Sequence, residues 1–209
     1  MSTADGAQPR ALTPRGQATR DRIVAAAAAL MYEKGVAGTR TEDIQDAAGG
    51  LSPSQIYHYF RDKRSLVQAV IAHQTETILA MHTPMLTRLD SIEALEAWRD
   101  AIIAFQQGNQ CRCGCPLGSL GSELADNDAA ARAQVAQGFT RWETAIHDGL
   151  AAMRDRDELL PKADPGSLAS ALLTALQGGL LMTQIRRDTS DLYNALTAVI
   201  AHISTHSPS

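Results

Sequence analysis

The stretch TRTEDIQDAAGGLSPSQIYHYF, residues 39–60, decides the fold of the N-terminal part of the chain. It predicts a short helix over 41–48 that ends at the glycine pair 49–50, since glycine readily adopts the left-handed conformation that stops a helix. Ser52 can cap a second short helix, and Pro53 suits its first position, where no amide hydrogen is needed. Two short helices joined by a glycine turn are typical of a helix-turn-helix, whose second helix enters the major groove of DNA.

Helices are also expected on both sides of this stretch. A first helix is predicted over 18–34, where apolar side chains recur at helical spacing and Gly35 follows as a stop. A fourth helix is predicted over 62–82, with Pro84 beyond its end. Residues 1–16 are rich in Pro, Gly, Thr and Ala and lack apolar periodicity, which predicts a disordered arm.

The second helix of the motif has two different faces. Its apolar side chains are expected to form a small core with residues of the neighbouring helices: Ile56, Tyr59 and Phe60 with Ile23, Leu30 and Ile44. Its remaining side chains point outward and suit phosphates and base edges: Ser52, Ser54, Gln55, Tyr57 and His58. Lys63 opens the next helix, where its charge and the free amide N–H groups can both meet a phosphate.

This region resembles the TetR family of bacterial transcriptional regulators. The resemblance lies in RIVAAAAALMYEKGVAGTRTEDIQDAAG, residues 22–49, and LSPSQIYHYFRDKRSL, residues 51–66, whose Tyr-x-Tyr-Phe pattern and following lysine are quite specific. It implies that the third helix reads DNA and that the N-cap of the second helix, expected at Thr41, contacts phosphate. The expected DNA-contact residues are Arg40, Thr41, Ser52, Ser54, Gln55, Tyr57, His58 and Lys63.

The turn departs from the family pattern. Family members usually have Ala-Gly-Val-Ser, whereas residues 48–52 read AGGLS, which is one residue longer. Leu51 is expected to take the apolar role of the usual valine, and Gly50 supplies a permissive backbone. The added residue can rotate the third helix slightly, which bears on base contacts from Ser54 and Gln55.

The composition favours helices throughout the chain. Hydrophobic residues make up 44% of the chain and aromatic residues only 4%, with Ala and Leu abundant, and these two residues favour helices over strands. The prediction is an all-α fold of about nine helices. The resemblance implies a helix-turn-helix domain over 17–64, joined through the helix 62–82 to a body over 65–209 that binds ligand and dimerises.

Charge and motifs exclude several protein classes. The net charge is −4, but residues 1–70 carry nine basic and seven acidic side chains, so the N-terminal part is mildly basic. No signal-peptide pattern and no apolar run of about 20 residues is found. The chain is therefore expected to be soluble and cytoplasmic, without a membrane partner. No phosphate loop or acid–base pair suggests an enzyme, and no cofactor is expected.

The body carries a second resemblance. GCPLGSLGSELAD, residues 114–126, and ALLTALQGGLLMTQIRRD, residues 171–188, are similar to the LmrA/YxaF-like branch of the family. This implies a helical domain that binds a small molecule and forms a homodimer through its last two helices, expected over 165–187 and 188–206. The first of these is apolar nearly all round, so one face suits the core and another suits a partner. The resemblance thus implies a repressor that its ligand releases from operator DNA.

A small apolar or amphipathic ligand is expected between the helices of the body. The candidate ligand contacts are aromatic, sulfur-containing or apolar: Trp98, Phe105, Cys115, Leu117, Phe139, Trp142 and Met182. The same residue types are also ordinary core residues. His82 is interpreted as a surface residue.

All three cysteines lie in CRCGCPLG, residues 111–118. Cys111, Cys113 and Cys115 could form a redox or electrophile sensor, because Arg112 favours thiolate, or bind a thiophilic metal. In the alternative, Cys115 is a small apolar residue at the pocket edge and the other two have no role. A stable zinc site is not predicted, since it usually needs four ligands.

Overall fold

The computed structural model describes residues 12–207. Within these residues the chain is all α-helical, and the predicted class is confirmed. Residues 12–207 form nine helices: α1 Pro14–Gly38, α2 Thr41–Ala47, α3 Pro53–Tyr59, α4 Lys63–Leu86, α5 Ile92–Gly108, α6 Pro116–Leu124, α7 Ala129–Asp155, α8 Pro165–Arg186 and α9 Ser190–Ser204. The chain divides inside α4 into two compact units, 1–70 and 71–209.

The first helix begins earlier than predicted. Residues 1–11 of the predicted arm lie outside the described residues, and α1 begins at Pro14. The Thr13 hydroxyl caps the helix by accepting the Gly16 N–H at 3.2 Å, and proline suits the first helical position. Apolar spacing alone cannot reveal such a polar first turn, so the expectation of an arm up to residue 16 is wrong at its end.

The core of the N-terminal unit draws on α1, α2 and α3. Its buried apolar residues include Ile23, Val24, Ala27, Ile44, Ile56 and Phe60. Leu30 and Tyr59, which were expected in this core, are half-buried. The Arg22 guanidinium donates a hydrogen bond of 2.8 Å to the Ala48 carbonyl and so ties α1 to the end of α2.

The fourth helix continues through Pro84, where an end was predicted. A proline inside a helix leaves a carbonyl of the preceding turn without its usual donor. Two threonine hydroxyls donate to main-chain carbonyls around this point, Thr83 to Leu79 at 2.6 Å and Thr87 to Thr83 at 3.0 Å. Neither bond reaches the Ala80 carbonyl, which lies four residues before the proline, and the helix nevertheless continues to Leu86.

The C-terminal unit is built around α8, which packs against both α7 and α9. Gly179 permits a close approach of α8 and α9, because a Cβ atom there would lie 2.5 Å from Leu192 Cδ1. By length and composition α8 could also cross a membrane, a test that the core helix of a soluble protein passes as well. Its buried residues include Leu168, Leu172 and Leu176, as a core helix requires.

Candidate DNA-binding surface and effector-binding body

The turn before α3 accommodates its additional residue through two glycines. Gly49 and Gly50 have φ of +95° and +72°, which glycine adopts without steric cost. The amides of Gly50 and Leu51 both donate to the Gln45 carbonyl, at 3.0 and 3.2 Å. The turn is therefore closed by hydrogen bonds.

A capping box fixes the start of α3. The Ser52 hydroxyl accepts the Gln55 N–H at 3.3 Å, and the Gln55 side-chain oxygen accepts the Ser52 N–H at 2.8 Å. The Ser54 hydroxyl lies 2.9 Å from the Ser52 hydroxyl. Ser52 and Gln55, two of the predicted DNA-contact residues, thus also stabilise the start of α3.

The outer face of α3 is open to solvent. Tyr57 is 57% exposed, and His58 is also exposed. The His58 ring lies edge-on to Tyr59 with their centroids 5.0 Å apart, while Ile56 is buried beneath them. Tyr57 and His58 therefore face solvent, while the buried Ile56 holds α3 against the core of the N-terminal unit.

A hydrogen bond anchors Lys63 beside the start of α2. Its ammonium donates to the Thr39 carbonyl at 2.7 Å, and the buried Thr39 donates its hydroxyl to the Gly35 carbonyl, also at 2.7 Å. Thr41, Tyr57 and Lys63 line one depression of about 50 Å³. The fold thus brings together three residues for which phosphate contacts were expected.

The N-cap of α2 is Arg40, not Thr41 as predicted. Arg40 has an extended backbone, and its N–H donates to the Asp43 carboxylate at 3.2 Å. Thr41 is the first helical residue and is half-buried, whereas Arg40 is exposed.

Two of the predicted ligand contacts, Trp98 and Trp142, meet around a histidine in the C-terminal unit. Trp98 is fully buried and Trp142 is 2% exposed. The His82 ring lies with its centroid 4.9 Å from that of Trp142 and 6.5 Å from that of Trp98. His82, which was expected on the surface, is half-buried, because it follows the buried Ile71, Thr75 and Ile78 at helical spacing on α4. That helical spacing was the signal in the sequence.

This aromatic cluster contains three polar atoms without partners. Among the described residues, His82 Nδ1 and the indole nitrogens of Trp98 and Trp142 are buried and form no hydrogen bond. Burial lowers the pKa of His82 from its ordinary value of 6.5. The imidazole is therefore held in its neutral form at neutral pH.

The other predicted ligand contacts lie in varied environments. Leu117 is buried and packs where Gly138 allows close approach: a Cβ on Gly138 would lie 2.9 Å from Leu117 Cδ2. Phe139 and Met182 are half-buried, and Phe105 is 47% exposed. The structure therefore does not gather the whole predicted set at one place.

A groove of about 780 Å³ runs between α4 and α7. Its walls are apolar and threonine-rich, with a few charged groups: Leu79, Thr83, Leu86, Thr87, Asp90, Gln137, Thr140, Arg141, Thr144, Ala145, Asp148, Gly149 and Ala152. None of the ligand contacts predicted from the sequence lines it. The arginine in this wall pairs with the exposed Glu76 carboxylate of α4.

The three cysteines are free thiols in differing environments. Cys115 is buried at the start of α6, where its Sγ accepts the Gly118 N–H at 3.4 Å, and burial raises the pKa of its thiol. Cys111 is buried in a left-handed backbone conformation, with φ of +54°. Cys113 is half-buried. In residues 12–207 no group of three or more His, Cys, Asp or Glu side chains could hold a metal ion.

Comparison with known proteins identifies the two units separately. Residues 23–70 match the family described as bacterial regulatory proteins, tetR family. Residues 91–199, more than half of the chain, match the tetracyclin repressor-like C-terminal domain.

Individual relatives agree with these matches. An uncharacterised HTH-type transcriptional regulator in the lacX 3′ region of Lactococcus lactis is 30% identical over 81% of this chain and 85% of its own length. The tetracycline repressor protein class A of Escherichia coli is 31% identical over 50% of this chain and 49% of its own. A TetR-family regulator from Cytophaga hutchinsonii has a similar fold, with a TM-score of 0.81 and 18% identity over 95% of this chain and all of its own. The chain therefore belongs to the TetR family, and it is a helix-turn-helix transcriptional regulator that binds DNA and not an enzyme.

Proposed function

We propose that this regulator is a homodimeric cytoplasmic repressor that a small-molecule ligand releases from its operator. The observation that carries the DNA-binding part is the grouping of Thr41, Tyr57 and Lys63 around one depression beside the capped α3. The repressor part draws support from the relative named a tetracycline repressor protein.

Two kinds of DNA contact are proposed for the N-terminal unit. Tyr57, His58 and Lys63, with Arg40 and Thr41 at the start of α2, position the unit on the phosphates. Ser52, Ser54 and Gln55 lie at the start of α3, where recognition helices commonly reach base edges. Because the Gln55 oxygen accepts within the capping box, its amide N–H₂ group is the part that remains for a base or a phosphate.

The proposed dimer forms through α8 and α9. Three large apolar side chains of these helices are exposed: Leu181 by 56%, Ile185 by 65% and Tyr193 by 43%. A Cβ atom at Gly178 would have no atom within 4 Å, so α8 also has open space on this side. A dimer would present two recognition helices to successive major grooves about 34 Å apart.

The proposed ligand binds the C-terminal unit and shifts the equilibrium between DNA-binding and released states. The continuous helix α4 contributes residues to both units. We therefore propose that α4 couples ligand binding in the C-terminal unit to DNA binding in the N-terminal unit. Assignment to the LmrA/YxaF-like branch is part of this proposal and rests on the motifs 114–126 and 171–188.

The thiol sensor is the second candidate function. A thiol reacts as its thiolate, and the raised pKa of the buried Cys115 reduces that form. The half-buried Cys113 is the more accessible group of the three cysteines. Two results together would reject this candidate. The triple Cys→Ser variant would keep operator binding, and a thiol alkylator would leave the operator affinity of the wild-type protein unchanged.

Selection of DNA by the full-length protein from a random-sequence library tests the proposal. We expect a two-fold symmetric operator with half-sites about one helical turn apart. Tyr57→Ala should fail to enrich this site, whereas Glu33→Gln, an exposed change on α1, should enrich it normally. Enrichment of no sequence by the wild-type protein would contradict the proposal.

A further inference from the structure

We infer that Arg22 of α1 is a further DNA-contact residue, and that its guanidinium binds a backbone phosphate of the operator beside the turn that precedes α3. Arg22 lies outside the helix-turn-helix stretch 39–60 and was not among the DNA contacts predicted from the sequence. The inference rests on the proposed function, because it adds a contact to the same DNA-binding face.

A buried carbonyl at the end of α2 fixes the position of Arg22. The Arg22 Nε–H donates a hydrogen bond of 2.8 Å to the Ala48 carbonyl, and Ala48 is fully buried. Carbonyl groups at the C-terminus of a helix carry partial negative charge, so a cation is favourable there. The arginine side chain is therefore ordered before DNA arrives, which lowers the entropy cost of binding.

The rest of the guanidinium is available to a ligand. An arginine has five N–H donors in a planar fork, and the Ala48 carbonyl uses one of them. Among residues 12–207 the guanidinium has no other hydrogen-bond or ion-pair partner, and its neighbour Asp21 accepts the Gln17 side chain at 2.6 Å instead. Arg22 is exposed, and its remaining N–H groups match the oxygens of a phosphate.

The anchored guanidinium lies beside the start of the recognition helix. Ala48 is followed by Gly49 and Gly50, around which there is open space, since a Cβ atom at either would have no atom within 4 Å. The chain then enters α3 at the exposed Ser52. Four residues span at most about 14 Å, so Arg22 is anchored within that distance of the residues proposed to reach base edges.

A helix in the major groove has a phosphate strand on each side. The groove is about 12 Å wide, and α3, with seven residues, is about 10 Å long at 1.5 Å per residue. The depression lined by Thr41, Tyr57 and Lys63 lies beside the second half of α3, whereas Arg22 is anchored before its first residue. Lys63 therefore serves one strand, and Arg22 serves the other.

The test measures DNA binding by the full-length protein at a series of salt concentrations. Two duplexes of equal length are compared, the selected operator and a random sequence. Arg22→Gln removes the charge and Arg22→Lys keeps it. Lys162→Gln, which removes an exposed charge from the C-terminal unit, is the matched control.

We expect Arg22→Gln to weaken binding to both duplexes, because a phosphate contact carries no sequence information. Its salt slope should fall by about one per protomer. Between 50 and 200 mM salt, the affinity of the wild-type dimer should therefore drop about tenfold more than that of the variant. Arg22→Lys should keep the wild-type slope, and Lys162→Gln should match the wild type in affinity and slope.

Operators with single uncharged methylphosphonate linkages locate the contact. One sensitive linkage should lie on the strand that Lys63 contacts, and Lys63→Ala should no longer respond to it. A second, on the other side of the groove, should still weaken binding by Lys63→Ala but no longer affect Arg22→Gln. If Arg22→Gln does not fold by circular dichroism, the wild type and Lys63→Ala decide, and insensitivity of both to every linkage on that side overturns the inference.

An unchanged salt slope in folded Arg22→Gln would also overturn the inference, because a purely structural role removes no phosphate contact. Weaker binding to the operator alone would do the same, since it indicates a base contact or a displaced α3. Either result in a protein that still depends on Lys63 overturns only this inference. Failure of the wild type to bind any DNA overturns the proposed function.

Discussion

At the scale of single residues, glycines at close contacts and the half-buried His82 affect the stability of the C-terminal unit. Gly149 on α7 lies directly against the main chain at Leu89: a Cβ atom there would lie 2.8 Å from the Leu89 carbonyl carbon. Gly108, at the end of α5, has no atom within 4 Å of such a Cβ. A side chain at Gly149 would therefore collide with the main chain, whereas a side chain at Gly108 would not.

Gly149→Ala is expected to destabilise the protein by about 1–3 kcal/mol, since a backbone contact must move apart to admit the methyl group. Urea unfolding measures the change in the free energy of unfolding. Gly108→Ala is the control, and its effect should be smaller than about 1 kcal/mol in either direction. Equal stability of the two variants would show that α7 does not approach Leu89 as closely as described.

His82 should make stability depend on pH. Burial lowers its folded-state pKa below the ordinary 6.5, so the unfolded chain binds the proton more readily. Stability is then fully present above pH 6.5 and falls as the pH decreases through 6.5 towards the folded-state pKa.

His82→Gln is expected to reduce this loss of stability on acidification. The measurement compares the free energy of unfolding of wild type and variant at pH 7.5 and at pH 5.5, with His202→Gln, an exposed histidine on α9, as the control. An identical pH dependence in wild type and His82→Gln would show that desolvation does not lower the pKa of His82 in the folded protein.

At the scale of elements, caps and turns position the DNA-binding helix. α3 is only seven residues long, and isolated helices of this length are marginal in water. Its stability therefore depends on the capping box at Ser52 and on the buried Ile56.

Ser52→Ala should cost about 1 kcal/mol of stability, because the Gln55 N–H loses its side-chain acceptor. Ser54→Ala, whose hydroxyl contacts only the Ser52 hydroxyl in the cap, should change stability by less than about 0.5 kcal/mol. Thermal unfolding of both variants measures the difference. A loss for Ser54→Ala as large as that for Ser52→Ala would contradict the cap geometry.

Sequence reasoning found most helices because their ends carry local chemical signals. Ser52, for example, caps α3 where expected. The continuation of α4 past Pro84 was missed, because a proline usually marks the end of a helix.

The candidate sites were predictable to different degrees. The residues of α3 follow from a short motif, and Lys63 follows from its place beside that motif. The partner of Lys63, the Thr39 carbonyl, is 24 residues away, and such a contact cannot be derived from spacing. The Trp98–His82–Trp142 cluster joins three helices, so only the structure could place its members together.

At the scale of the whole molecule, the proposed function requires a dimer. The exposed Leu181 and Ile185 lie four residues apart on α8, on one face of the helix. Ile185→Asp would place a charge in the proposed apolar interface.

We expect Ile185→Asp to sediment as a monomer at concentrations at which the wild type is a dimer. The same variant should bind operator DNA far more weakly, since a single helix-turn-helix unit loses the contacts of its partner. Ala133→Asp, on an exposed position of α7, is the control and should remain dimeric. A dimeric Ile185→Asp would place the interface elsewhere.

The central claim is that the protein binds DNA through Lys63 and the exposed face of α3. The salt dependence of operator binding tests this claim most directly. The measurement is the dissociation constant for the selected operator across a series of salt concentrations, for wild type and Lys63→Ala. Loss of one phosphate contact per protomer should weaken binding on all sequences alike and reduce the salt slope by about one per protomer. An unchanged affinity and slope in Lys63→Ala would contradict the account.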